Sequence, residues 1–135
     1  MTDVNPHGHN QPAFAKFLGI KITEITLDRV RAELPVRDDL KNRFGIMHGG
    51  AILALADNCG GTAASANLKD GQTTTTLESK TNFFAAIPMG DVALAECTAL
   101  HKGRTTMVWQ TRITRNDGRL CAIVTQTQMV LEATK

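Results

Sequence analysis

The sequence predicts an α+β domain in which an antiparallel sheet of five or six strands curls round one long central helix. Two observations predict it. One is the stretch Gly49 to Leu68, rich in good helix formers and carrying Asp57 as its single charge. The other is the series of strand-like segments after Asp70-Gly71, joined by turns short enough to require antiparallel pairing.

The elements follow in order. Residues 1–11, with Asn5, Pro6, His7, Gly8, His9 and Asn10, read as a flexible N-terminal tail, and residues 12–135 as a single domain. His7 and His9 could in principle grip a metal, but a flexible terminus is the commoner explanation for such a pair. Pro12 opens a short apolar stretch, Ala13 to Leu18, that Gly19 closes, the pattern of a helix of one or two turns. From Ile20 the period falls to two, and Ile20–Thr26 with Val30–Val36 read as a hairpin turning near Leu27 and Asp28. Asp38 to Asn42 is polar and loop-like, with room for a helical turn. Gly49 to Leu68 then forms the helix, about 30 Å long at 1.5 Å per residue. Apolar nearly all round, it should be buried on several sides. Strands follow at Thr73–Phe84, Val92–Leu100, Thr105–Thr114 and Leu120–Leu131. Pro88-Met89-Gly90, Lys102-Gly103 and Asp117-Gly118 punctuate them.

Composition narrows the function. A chain of 135 residues at 42% hydrophobic can bury a core without metal or disulfide support. A net charge of +2, with five Phe, one Trp and no Tyr, supplies neither the field nor the stacking platforms of a nucleic-acid binder. No apolar run is long enough to span a membrane, and polar residues stand where a signal peptide would be apolar, so the expected location is the cytoplasm. Cys59, Cys97 and Cys121 form no CxxC pair and read as small apolar fillers, so no metal site is expected.

The residues that carry chemistry cluster on the helix. Gly49 and Gly50 at its start would let a ligand approach unpaired amides at the positive end of the dipole, an oxyanion hole in outline, or would merely cap the helix. Asp57 within so apolar a helix would be costly to desolvate, which marks it as a functional candidate or as an acid bonded across a junction. Gly49 and Asp57 are eight residues apart, about 12 Å along the axis, so one chain cannot bring both to one acyl carbon. His48 and Asp57 fall on opposite helix faces, which excludes a dyad within one chain. Two copies with antiparallel helices would place Gly49 of one near Asp57 of the other, and a homodimer with composite sites is expected. Leu53, Ala54, Gly60, Gly61 and Ala64, the helical neighbours of Asp57, are mostly small and leave room for a substrate chain or for close packing. The Thr73–Thr76 run could hold a water beside Asp57, or reflect β-propensity alone.

The string Asn42-x-x-Gly45-x-x-His48-Gly49-Gly50, then Leu55-Ala56-Asp57, then a Thr-rich strand leading to Asn82-Phe83-Phe84 and Pro88-x-Gly90, resembles the hotdog-fold acyl-CoA thioesterases of the phenylacetic-acid-degradation (PaaI) type. The resemblance runs from about Ala13 to Glu132. It implies hydrolysis of an aryl- or medium-chain acyl-CoA to the free acid and coenzyme A, with no cofactor beyond the substrate itself. It also implies roles. The Gly49 amide polarises the thioester carbonyl, with Asn42 and His48 positioning that group and Gly50 beside it. Asp57 of the facing chain activates water or attacks directly, and Thr76 orients the water. Lys102 and Arg104 at a hairpin, with Arg43 and Lys80, are candidates for the coenzyme phosphates, although the hairpin pair could be plain solvated charges. Association would proceed to a dimer and on to a tetramer of two dimers. Two other activities fit the same residues: hydration or dehydration of an acyl thioester, and acyl-CoA binding without turnover.

Overall fold

The computed structural model describes residues 4–133. Its elements are α1 (Ala13–Leu18), β1 (Lys21–Ile25), β2 (Arg29–Pro35), α2 (Gly49–Ala66), β3 (Thr73–Phe83), β4 (Val92–Lys102), β5 (Thr106–Thr114) and β6 (Leu120–Leu131). The strands form one six-stranded sheet in the order β1-β2-β4-β5-β6-β3, every neighbouring pair antiparallel. This is the hotdog arrangement expected, with α2 packed across β2 to β6.

Alternation decides which side chains enter the core. Val30, Ala32 and Leu34 of β2, Ala93, Ala95 and Cys97 of β4, and Met107, Trp109 and Ile113 of β5 all point toward α2 and are buried. Leu55, Ala56, Cys59 and Ala63 meet them from the helix. Each large apolar side chain so buried contributes about 1.5–3 kcal/mol. The cysteines are free and buried, and burial pushes the Cys97 thiol up to about 11, as suits inert fillers. Gly19 at φ +87° and Gly118 at φ +86° take the left-handed backbone that ends α1 and turns the last hairpin.

Three expectations are corrected. First, α2 is not covered all round: Gly50, Leu53 and Asp57 are exposed, and Ala54, Asn58, Gly61 and Ser65 are partly so, giving one open stripe at helical spacing. Second, α2 stops at Ala66, short of Leu68. The Asn67 amide holds Ala63 O and Leu27 O, each at 2.9 Å, and ties the last turn to the β1–β2 turn. Third, much of the segment expected to be a loose tail is docked. Pro6–His9 form a 3-10 turn, Asn5 N–H donates to Ala66 O at 2.9 Å, and its side chain donates to Leu68 O at 2.8 Å. Gln11 then bonds Thr62 at 3.1 Å and Asn58 at 2.8 Å. Residues 1–3 of that segment lie outside the described residues. The strand β3 departs from a regular ladder. Among the described residues it pairs only with β6, it is exposed along most of its length, and its register slips between Thr76 and Glu78, a bulge at Leu77.

Candidate active site

The chain enters α2 through a loop fixed by its own polar groups. Asn42 Oδ1 accepts Phe44 N–H at 2.8 Å and Ile46 N–H at 3.3 Å, while Asn42 N–H donates to Ile46 O at 2.7 Å. Gly45 at φ +82° completes this turn. Met47 N–H reaches Ile87 O at 2.9 Å and His48 N–H reaches Leu40 O at 2.8 Å, anchoring the loop on both sides. The first turn of α2 then uses most of its donors internally. His48 Nδ1 accepts Gly50 N–H at 2.8 Å, and His48 O accepts Ala51 N–H at 2.9 Å and Ile52 N–H at 3.2 Å. Among the described residues the Gly49 amide has no acceptor.

Gly49 therefore holds the free donor that the sequence analysis assigned to a pair of glycines. It lies in an apolar cavity of about 400 Å³ with Asn42, Ile46, Ile52, Phe83 and Phe84. A Cβ at Gly49 would sit 3.2 Å from Phe83 Cζ, so the ring lies directly over the bare glycine. Three expectations change here. Asn42 spends its carbonyl on the loop and leaves only its Nδ2 for a ligand. The Gly50 amide belongs to His48. The imidazole itself lines a different hollow, of about 240 Å³, with Phe14, Leu40 and Ala54.

Asp57 stands two turns further along. It is exposed in the single protomer, contrary to the enclosed acid expected, yet the walls around it are close enough to matter. Burial pushes its carboxyl above the usual range. A proton donated by the neighbouring Thr76 hydroxyl would oppose that rise, but Gln128 Oε1 accepts that hydroxyl at 2.6 Å. No salt bridge reaches it among the described residues. Its cavity, about 380 Å³, is polar and lined by Gln11, Asn58, Gly61, Thr62, Thr76 and Gln128, with His7 and Asn10 from the docked N-terminal turn. Leu53 is exposed one turn toward the helix start, on the same stripe.

Thr74 and Thr76 face inward as alternation predicts, and both bond Gln128, at 3.1 and 2.6 Å. Gln126 and Gln128, each 1% exposed, were not anticipated. Their sequence signature is Gln-x-Gln on the inward face of a strand whose other inward residues nearby are Val124 and Val130. Gln11 and Asn58 carry no sequence signal of their pairing, and His7 and Asn10 read as tail residues, because contacts across some fifty residues leave no local trace.

The basic candidates sit on separate parts of the chain. Lys102 Nζ is held by Asp28 Oδ1 at 2.6 Å and Leu27 O at 3.3 Å, so it locks two turns together and is not a free phosphate ligand. Arg43, Lys80 and Arg104 are exposed and make no ion pair among the described residues, but they lie on three separate elements. No group of three or more His, Cys, Asp or Glu side chains among the described residues is placed to hold a metal ion. No described helix is long and apolar enough to cross a membrane. Gly49 and Asp57, about 12 Å apart along α2, open into different cavities of the protomer.

Comparison with known proteins gives this geometry its context. The sequence pattern of the Thioesterase superfamily matches residues 44–122. The 1,4-dihydroxy-2-naphthoyl-CoA hydrolase of Escherichia coli is 34% identical over 115 residues, 85% of this chain and 84% of that protein. The crystal structure of thioesterase HI1161 from Haemophilus influenzae superposes with a TM-score of 0.87 at 27% identity, covering 100% of this chain and 94% of that one. The E. coli PaaI protein shares the fold with a TM-score of 0.87 at 23% identity, covering 96% and 93%.

Proposed function

We propose that this chain, which belongs to the thioesterase superfamily and is a thioester hydrolase, hydrolyses an aryl- or medium-chain acyl-CoA to the free acid and coenzyme A. The observation that carries the proposal is the division of labour along α2. One unpartnered amide stands at the positive end of the helix, and one partly desolvated carboxylate stands in a separate cavity two turns away.

The chemistry assigned to these groups is acyl transfer to water. The thioester oxygen accepts Gly49 N–H, which gains strength as the carbonyl becomes an oxyanion. Asp57 from a second copy takes a proton from water as the oxygen attacks the acyl carbon. The tetrahedral intermediate then collapses, the C–S bond breaks, and the thiolate of coenzyme A leaves and is protonated by solvent or by Asp57. Direct attack by Asp57, forming an anhydride that water cleaves, uses the same placement. Asn42 Nδ2 positions the thioester group in the Gly49 cavity, the His48 ring meets the substrate from the separate hollow that it shares with Gly50, Thr76 positions the water, and exposed Arg43, Lys80 and Arg104 meet the coenzyme phosphates at the rim.

The hydrogen-bonding walls around Asp57 support an aryl acid with ring hydroxyls over a plain alkyl chain. That choice accords with the name of the E. coli relative. The hydrolase names of the relatives also favour cleavage over hydration or silent binding.

Two surfaces support the second copy. The open stripe of α2 exposes Leu53 beside Asp57, and β3 leaves one edge unpaired over eleven residues. A symmetric dimer, and a tetramer built from two, would cover them. We place the enzyme in the cytoplasm. The deciding experiment mixes two inactive variants, Asp57→Asn and Gly49→Val, under conditions that exchange subunits. If the sites are shared, half of the dimers are mixed and each has one intact site, so activity returns to about a quarter of the parent. Independent sites within each protomer would return nothing.

A further inference from the structure

The inner face of β6 holds two side chains that core packing does not call for. Gln126 and Gln128 are each 1% exposed, in positions that Val would fill as it does at 124 and 130. An unsatisfied buried amide costs several kcal/mol, and Gln126 Oε1 has no partner among the described residues. The helix yields to them as well: Gly60 lies against the Gln126 amide so closely that a Cβ there would overlap it. Two buried amides, one incompletely paired and made room for by a glycine, are a poor device for stability alone.

Their hydrogen bonds form a chain whose direction can be fixed from one end. Met129 O is a backbone carbonyl and can only accept, so Thr74 Oγ1, 2.9 Å away, gives it its single proton. Thr74 must then accept from Gln128 at 3.1 Å, which turns Nε2 of that amide toward Thr74. The other end, Oε1, faces Thr76 at 2.6 Å and can only accept, so it takes the Thr76 proton. Gln126 Nε2 donates to the same oxygen at 2.9 Å and fills its second lone pair. A hydroxyl has one proton to give. Thr76, which stands beside Asp57, has therefore committed its proton to Gln128 and can face the carboxylate side only as an acceptor.

We infer that Gln128 is a positioning residue that holds the Thr76 oxygen as a hydrogen-bond acceptor toward the water that Asp57 activates. This rests on the reading of Asp57 as the base. A water between the two would give one hydrogen to the carboxylate and the other to Thr76 Oγ1, leaving an oxygen lone pair directed at the acyl carbon. Without the Gln128 acceptor, the Thr76 proton turns to the nearest strong acceptor, the Asp57 carboxylate. That stabilises the ionised acid, makes it a weaker base, and removes the water's second anchor.

The test is a pH–rate profile of the full chain with benzoyl-CoA and hexanoyl-CoA as probes and detection of the released thiol. His7 is the only other titratable side chain lining this cavity among the described residues; β3 and β6 face it with Thr74, Thr75, Thr76 and Gln128, all uncharged. His7→Asn therefore serves as the control and should leave the acid limb in place. Gln128→Met should lower kcat about tenfold or more, change KM less than about threefold, and move the acid limb to lower pH. Thr74→Val, on the exposed edge strand, leaves the Gln128 amide free to turn over. It should move the limb the same way by a smaller step, and it decides the matter if Gln128→Met does not fold. A folded variant of either kind with the parental limb and rate overturns the role of Gln128. Asp57→Asn separates the two levels: loss of turnover there alongside an unmoved Gln128→Met limb refutes only the relay, whereas turnover that survives Asp57→Asn refutes the base and the relay together.

Discussion

The side chain of His48 accepts the backbone N–H of Gly50 at 2.8 Å through Nδ1, so the residue that opens α2 is also its cap. In the neutral ring the remaining proton must then sit on Nε2, which faces outward as a donor. On the proposed reading, capping and substrate contact fall to opposite ends of one imidazole. His48→Asn keeps an acceptor for the first turn but loses the outward donor, and should hold stability to within about 0.5 kcal/mol while slowing hydrolysis. His48→Ala loses both and should cost about 1 kcal/mol in chemical denaturation besides the activity. Equal stability of the two variants would show that the cap contributes nothing.

Gly49 lies under the Phe83 ring, which is 53% exposed and can tilt away. Gly49→Ala should therefore fold with a penalty of no more than about 1 kcal/mol, since a Cβ 3.2 Å from the ring displaces only a side chain that has solvent to move into. The same methyl intrudes where a thioester must approach the free amide, and kcat/KM should fall about 100-fold, the scale of losing one oxyanion donor. Pairing a thermal melt with steady-state kinetics separates the two effects.

Asp57 carries a cost when ionised. A carboxyl whose folded-state value is raised holds its proton more tightly folded than unfolded. Stability therefore falls as pH rises through the interval between the ordinary value of 3.8 and the raised one. Asp57→Asn removes that cost. It should abolish thioester cleavage and leave the protein as stable as the parent or slightly more so at neutral pH, the gain kept small because solvent screens the exposed carboxylate, with the gap closing below the ordinary carboxylate range. A variant that is inactive and also less stable at neutral pH would mark Asp57 as a structural acid.

Much of this was legible because it is local. Gly19, Gly71, Gly90 and Gly118 mark turns through backbone geometry that few other residues adopt, and the strand boundaries follow from the turn signals within one or two residues. The position of Gly49 and Asp57 on one helix, and their separation, needed only the helical rise. What the pattern concealed is nonlocal. Small residues on every face of α2 gave no sign of which stripe stays open, because Ala and Gly tolerate either environment. Gln11 meets Asn58, and Gln128 meets Thr76, across 47 and 52 residues. The bulge at Leu77 shows in the pairing and not in the composition.

Gly60 and Gly61 put that distinction to a direct test, since they are adjacent, identical and in one helix. At Gly60 a Cβ would run into the Gln126 amide, which is fully buried and held by Gln128, so it cannot swing into solvent. At Gly61 nothing lies within 4 Å of the same position. Alanine is the better helix former by about 1 kcal/mol in both places, so the difference between the two variants isolates the packing. Gly60→Ala should lose about 1–3 kcal/mol through forced displacement of the amide pair, and with it part of the activity that depends on Thr76. Gly61→Ala should lose nothing and gain up to about 1 kcal/mol. Denaturation of the two side by side, with sedimentation of each, checks this. A loss at Gly61 as large as that at Gly60, accompanied by weaker self-association, would show that a second copy packs closely against the stripe bearing Asp57.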